Sequence, residues 1–136
     1  MKYNRYPKRD AIKNYFPLPN EIFNLNLSSG EIAVYSFLMR CEDRKTFQCH
    51  PSYKTIGKAL KMSQNTVRKY VVGLIDKKLI TAEPTRIRSK DGGKRNGSLL
   101  YTIRPIEEAV QFNFKLQLQR NTEIIAAQQT QKRLEM

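Results

Sequence analysis

Between Ile56 and Ile80 (IGKALKMSQNTVRKYVVGLIDKKLI) the hydrophobic positions fall into two helical repeats separated by a break. Ile56, Ala59 and Leu60 stand at i, i+3 and i+4, the spacing of one apolar helix face. Lys61 and Met62 interrupt the run, and Ser63 follows as an N-cap whose hydroxyl can accept a backbone N–H of the next turn. Val67, Val71 and Leu74 then recur at i, i+4 and i+7, with Tyr70 and Ile75 widening the stripe. The opposite side of this second helix carries Gln64, Asn65, Arg68 and Lys69. Two helices joined by a tight turn, the second apolar behind and donor-rich in front, form the pattern of a helix-turn-helix that lays its second helix in a major groove. Gly73 inside that helix costs about 1 kcal/mol against Ala and marks an expected close approach to the first helix of the pair.

The flanking pattern extends the reading in both directions. Residues 1–19 are polar, basic and interrupted by proline, and Tyr15-Phe16-Pro17-Leu18-Pro19 cannot lie inside a helix. This segment is read as an arm, with Phe16 and Leu18 packing on the domain and Lys2 to Lys13 solvated. Asn20 to Phe23 fit one helical turn. Ser28-Ser29-Gly30-Glu31 matches a capping box and opens a helix to about Glu42, with Val34, Phe37, Leu38 and Cys41 on its buried face. Thr46 to Cys49 alternate as a short strand, and Ser52 caps the next helix.

After Lys77-Lys78 the period drops to two. Leu79 to Glu83 read as a strand, Pro84 implies an edge position, and Thr85 to Arg88 continue outward. Residues 89–97 are dense in turn formers, and Ser98 to Arg104 return as a strand. A hairpin directly after the second helix is the wing of a winged helix. From Pro105 the signals conflict: Pro105 at the first helical position with Glu107 and Glu108 behind it starts a helix, whereas Gln111 to Leu118 alternate as a strand would. The Glu-, Gln-, Ala- and Leu-rich flanks favour a helix to about Lys132, ~40 Å long. Its apolar residues spread over more than half the circumference and make no clean coiled-coil seam. Phe112, Phe114, Leu116 and Leu118 are too many to leave in water, so they are expected to cover the domain or to bury against a second copy. The expected architecture is α+β and mostly α: an arm over 1–19, a winged helix-turn-helix of three helices and a β-hairpin over 20–104, and a C-terminal helical extension over 105–136.

Charge sharpens this picture. The 136 residues hold 25 Lys and Arg against 12 Asp and Glu, a net charge of +13. From Ser52 to Arg104 there are 13 basic and 3 acidic residues, net +10, while residues 1–51 hold 8 and 5 and residues 105–136 hold 4 and 4. The excess therefore sits on the helix-turn-helix and its wing, as an electrostatic footprint for phosphate would. Gln64, Asn65 and Arg68 are the candidate base-edge contacts, because Gln or Asn can pair adenine and Arg guanine bidentately; Lys69 suits a base or a phosphate. Ser52, Lys54, Thr55 and Thr66 are candidate backbone contacts at the two helix N-termini, with Thr66 equally suited to turning its methyl inward. Arg88, Lys90, Lys94 and Arg95 are the wing candidates, for backbone or minor groove.

Other chemistries lack residues to carry them. Cys41, Cys49 and His50 offer three ligands at a spacing unlike structural zinc patterns, and His50 is the only histidine. No Walker A sequence, Gly-rich dinucleotide turn or acidic metal cluster is present, so neither enzyme activity nor a cofactor is expected. Two cysteines make no disulfide framework, no 18-residue apolar run spans a membrane, and the N-terminus has no apolar signal core, which places the expected protein in the cytoplasm. A binding partner of double-stranded DNA follows, with self-association through the C-terminal segment as an option. A protein–protein adaptor within a replication or conjugation complex is the alternative on the same fold.

Four segments carry a family resemblance: Cys41 to Lys45 (CEDRK), His50 to Ile56 (HPSYKTI), Ser63 to Tyr70 (SQNTVRKY) and Gly97 to Ile106 (GSLLYTIRPI). They resemble the winged-helix, helix-turn-helix-domain proteins of Gram-positive conjugative elements, phages and plasmids, a family similar to the N-terminal domains of plasmid and phage replication initiators. The resemblance covers about Tyr15 to Ile106. It implies double-stranded DNA binding in a bacterial cytoplasm and leaves transcription regulator and replication-initiation factor both open.

Overall fold

The first helix, α1 (Ser29–Cys41), begins at a complete capping box: Glu31 N–H donates to Ser28 Oγ at 3.2 Å, and Ser28 N–H donates to Glu31 Oε1 at 2.9 Å. The computed structural model describes residues 15–88, 94–96 and 98–135. A single 3₁₀ turn, Asn20–Asn24, precedes α1 and buries Ile22. The buried face of α1 is Gly30, Glu31, Val34, Tyr35 and Leu38. Cys41, expected inside, is exposed, and Tyr35 takes the inner place, because the buried face is centred on Glu31 and Leu38 and Cys41 falls at its margin. In the N-terminal arm Leu18 packs on the core as expected, whereas Phe16 is exposed.

A tight turn with Phe47 in the left-handed region (φ 59°) leads into β1 (Gln48–Cys49). Helices α2 (Tyr53–Leu60) and α3 (Gln64–Asp76) follow. Val67, Val71 and Leu74 of α3 are buried, and the ring of Tyr70 lies over Gly30 of α1. Helix α3 ends in a Schellman motif: Lys78 is left-handed (φ 67°), its N–H donates to Ile75 O at 3.1 Å, and Leu79 N–H donates to Leu74 O at 3.1 Å.

Strands β2 (Ile80–Glu83) and β5 (Leu100–Ile103) pair antiparallel, and β1 joins the far side of β5, so the sheet order is β1-β5-β2. Pro84 leaves β2 at an edge, as its missing N–H requires. Beyond it β3 (Arg86–Arg88) and β4 (Lys94–Asn96) form a separate two-stranded ribbon. Lys94 to Asn96 thus belong to a strand and not to the turn the sequence suggested. The register shifts between the two ribbons: Glu83 is paired with Leu100, but Arg86 is paired with Asn96. Two residues separate β2 from β3 whereas three separate β4 from β5, a bulge on the returning strand, and Thr85 Oγ1 donates to Ser98 O across it. Three helices and this hairpin wing make a winged helix-turn-helix, extended by α4 (Ile106–Leu134).

The conflict over residues 111–118 resolves as helix. A period of two on a helix splits into two i, i+4 pairs on different sides. Phe112 and Leu116 are half-buried toward the domain, while Phe114 and Leu118 are exposed. Pro105 caps the helix with ψ 133° and does not occupy its first position. Ala109 is fully packed, Lys78 Nζ stands 5.6 Å from the centre of the Phe112 ring, and Arg104 pairs with Glu108 at 2.7 Å.

Candidate nucleic-acid interface

Helices α2 and α3 start in the same way. Ser52 Oγ accepts from Thr55 N–H at 3.1 Å, and Ser63 Oγ accepts from Thr66 N–H at 3.2 Å. The hydroxyls of each Ser–Thr pair are also within hydrogen-bond distance, 2.9 Å for Ser52 and Thr55 and 2.8 Å for Ser63 and Thr66. The cap serves the third amide of each helix, and Val67 N–H donates to Ser63 O at 3.0 Å. That leaves the amides of the first two positions, Gln64 and Asn65 in α3, without an intrahelical partner. Thr66 is half-buried and its hydroxyl is held by Ser63, so it belongs to the cap as much as to the surface.

The turn between the helices depends on Gly57 and Lys61. Lys61 is left-handed (φ 55°, ψ 50°), and Met62 N–H donates back to Gly57 O at 2.9 Å. A β-carbon at Gly57 would stand 2.5 Å from Met62 O, so only glycine lets the chain turn this closely. The same packing corrects the expected face of α2. Ile56 and Gly57 are buried and Leu60 is half-buried, whereas Ala59 is exposed.

Gln64, Asn65, Arg68 and Lys69 are all exposed on the side of α3 opposite Val67, Val71 and Leu74. Ser52 is half-buried, and Lys54 and Thr55 are exposed at the start of α2. Lys54, Lys58 and Lys61 line a shallow groove with Ser63 and Gln64 at the start of α3. Lys58 and Lys61 escaped the sequence reading, although Lys54, Lys58 and Lys61 stand at i, i+4 and i+7, one helix face. Val72 also escaped it: 47% exposed, it lies one turn beyond Arg68 on the same side. Arg88 and Lys94 are paired across β3 and β4, and Arg95 is paired with Ile87. Lys90 lies outside the described residues.

Gly73 and Glu31 fix α3 against α1. A β-carbon at Gly73 would overlap Glu31 Oε2, so the close approach is to α1 and not to the first helix of the helix-turn-helix. Glu31 is 6% exposed. Burial pushes its carboxyl upward, but hydrogen bonds from Lys77 and from the Ser28 backbone and side chain outweigh this and hold it below the ordinary glutamate value.

Cys41 and His50 are exposed at the edge of β1, while Cys49 is buried with Sγ 3.6 Å from Leu38 O. Burial, with Cys41 and Glu42 nearby, pushes the Cys49 thiol up to about 12. Among the described residues no three His, Cys, Asp or Glu side chains converge on one point, and no helix is long and apolar enough to cross a membrane.

Residues 25–80 match a protein-family model described as a helix-turn-helix domain. This segment is similar to that domain. It runs from the lead into α1 to the first residue of β2, so the rest of the wing and α4 lie outside the match. No curated protein matches the chain in sequence. In structure the chain is similar to a possible transcriptional regulator from Methanosarcina mazei Go1, at 20% identity over 76% of this chain and 80% of that one, with a TM-score of 0.49. It is also similar to the adhesin competence repressor of Streptococcus pyogenes, at 14% identity over 80% and 72% of the two chains, with a TM-score of 0.39.

Proposed function

We propose that the chain is a sequence-specific double-stranded DNA-binding protein of the bacterial cytoplasm, with α3 docked in a major groove. The observation that carries this reading is the exposed front of α3, where Gln64, Asn65, Arg68 and Lys69 stand together over a fully packed back. Gln64, Asn65 and Arg68 read base edges, and Lys69 reads a base or a phosphate. Ser52, Lys54, Thr55 and Thr66 hold phosphates beside the helix starts, joined by Lys58 and Lys61 of the same groove. Val72 suits the methyl group of a thymine. Arg88, Lys90, Lys94 and Arg95 of the wing meet the backbone or minor groove.

The role is control of transcription or initiation of replication on a mobile element, and the bound species is a homodimer joined through the C-terminal segment. Selection of bound sequences from random duplex DNA at about 150 mM salt tests the reading, since non-specific binding is weak there. The expected result is an enriched motif with inverted symmetry. A folded protein that enriches nothing would remove α3 from the groove and favour a protein-docking adaptor, for which Val72 is the one apolar anchor on that face.

A further inference from the structure

Helix α4 has two apolar sides. Ala109, Phe112 and Leu116 meet the domain, whereas Phe114, Leu118 and Ile125 face away, 59%, 50% and 54% exposed. At ~100° per residue the outward stripe lies about 170° around the helix from the inward one. Every residue from Gln117 to Glu135 is exposed. A helix this long draws most of its stability from packing, and among the described residues nothing packs on this part.

The order of residues along the stripe says what covers it. Once the domain-facing residues are set aside, Glu107, Gln111, Phe114, Leu118, Asn121, Ile125, Gln128 and Lys132 follow each other at alternating steps of four and three, the spacing of a heptad seam. The seam is complementary to its own reverse. Turned end for end about the midpoint between Gln119 and Arg120, Glu107 meets Lys132, Gln111 meets Gln128, Phe114 meets Ile125, and Leu118 meets Asn121. Acid falls on base at the two ends, amide on amide inside them and apolar on apolar next, while the central pair sets Leu118 against the amide of Asn121. A parallel pair would set Glu107 on Glu107 and Lys132 on Lys132. Glu108 and Arg133 reinforce the choice, placing an acidic first turn against a basic last turn.

We propose that α4 pairs antiparallel with α4 of a second copy of this chain in that register. The proposal rests on the self-association reading above and adds the element, its direction and its alignment. The inward face stays on its own domain, so the two domains stand at opposite ends of the pair.

Two measurements on the full chain test it. Sedimentation equilibrium should show a dimer. The exposed-site variants Phe114→Asp and Glu107→Lys should become monomers with an unchanged thermal melt of the domain, and Glu107→Lys combined with Lys132→Glu should restore the dimer. In a Cys41→Ser, Cys49→Ala background, chains with Leu118→Cys mixed with chains with Asn121→Cys should oxidise mainly to the mixed disulfide. Predominant disulfides between like chains, or a double charge variant that stays monomeric, would overturn the register while leaving self-association standing. A full chain that is monomeric at about 100 µM would overturn both.

Discussion

Lys77, at the end of α3, places Nζ 2.8 Å from Oε1 of Glu31, the carboxylate that also closes the capping box of α1. One side chain thus begins a helix and fixes another to it. Because the Glu31 carboxyl is held below its ordinary value in the folded state, its contribution is complete at neutral pH and is lost as pH falls through and below the ordinary glutamate range. Urea unfolding at stepped pH should show stability falling on that acid limb, and Glu31→Gln should flatten it. Lys77→Met should cost about 1–3 kcal/mol at neutral pH, the worth of a hydrogen bond to a charged group.

Gly73→Ala reverses the usual rule for helices. An exposed glycine replaced by alanine gains about 1 kcal/mol. Here the added methyl meets a Glu31 carboxylate held in place from Ser28 and Lys77, so denaturant unfolding should show a net loss. In a Glu31→Ala background the same substitution should recover a gain of about 1 kcal/mol.

On the proposed docking, Arg68→Ala relaxes discrimination at one base pair and costs about 1–3 kcal/mol on the selected sequence. Binding titrations on selected and scrambled duplexes separate the outcomes. An equal loss on both would make Arg68 a phosphate contact.

The wing acts differently. Replacing Lys94 and Arg95 together by alanine should weaken binding on every sequence and lower the slope of log affinity against log salt by ~1 for each phosphate no longer neutralised. An unchanged slope takes the wing off the DNA.

What could be read from the chain alone was what local chemistry decides. Ser28, Ser52 and Ser63 cap helices because a hydroxyl needs only the amide three residues on, and all three are visible as short patterns. The face of α3 was equally legible, since its apolar back has one period over a long span. Tyr35 and Cys41 exchanged places, and Ala59 stayed in solvent, because helix rotation is set by partners such as Gly57 against Met62 that lie outside the repeat. Gly73 showed that something comes close, yet only the fold names Glu31. The alternation of residues 111–118 misled for a similar reason: a helix with apolar residues on two sides mimics the period of a strand. The front of α3 came from the sequence, but the lysine-lined groove before it needed α2 and α3 set side by side.

Lys61 sits in the left-handed conformation, where a side chain is disfavoured by roughly 1–2 kcal/mol and glycine is at ease. A cation thus stands at a turn position whose conformation favours glycine, as Lys78 does at the end of α3. Stability and charge pull this site in opposite directions. Lys61→Gly should yield a protein that melts higher and, on the proposed docking, grips DNA less, with a shallower salt dependence. Engineering this scaffold for robustness alone would remove part of its grip.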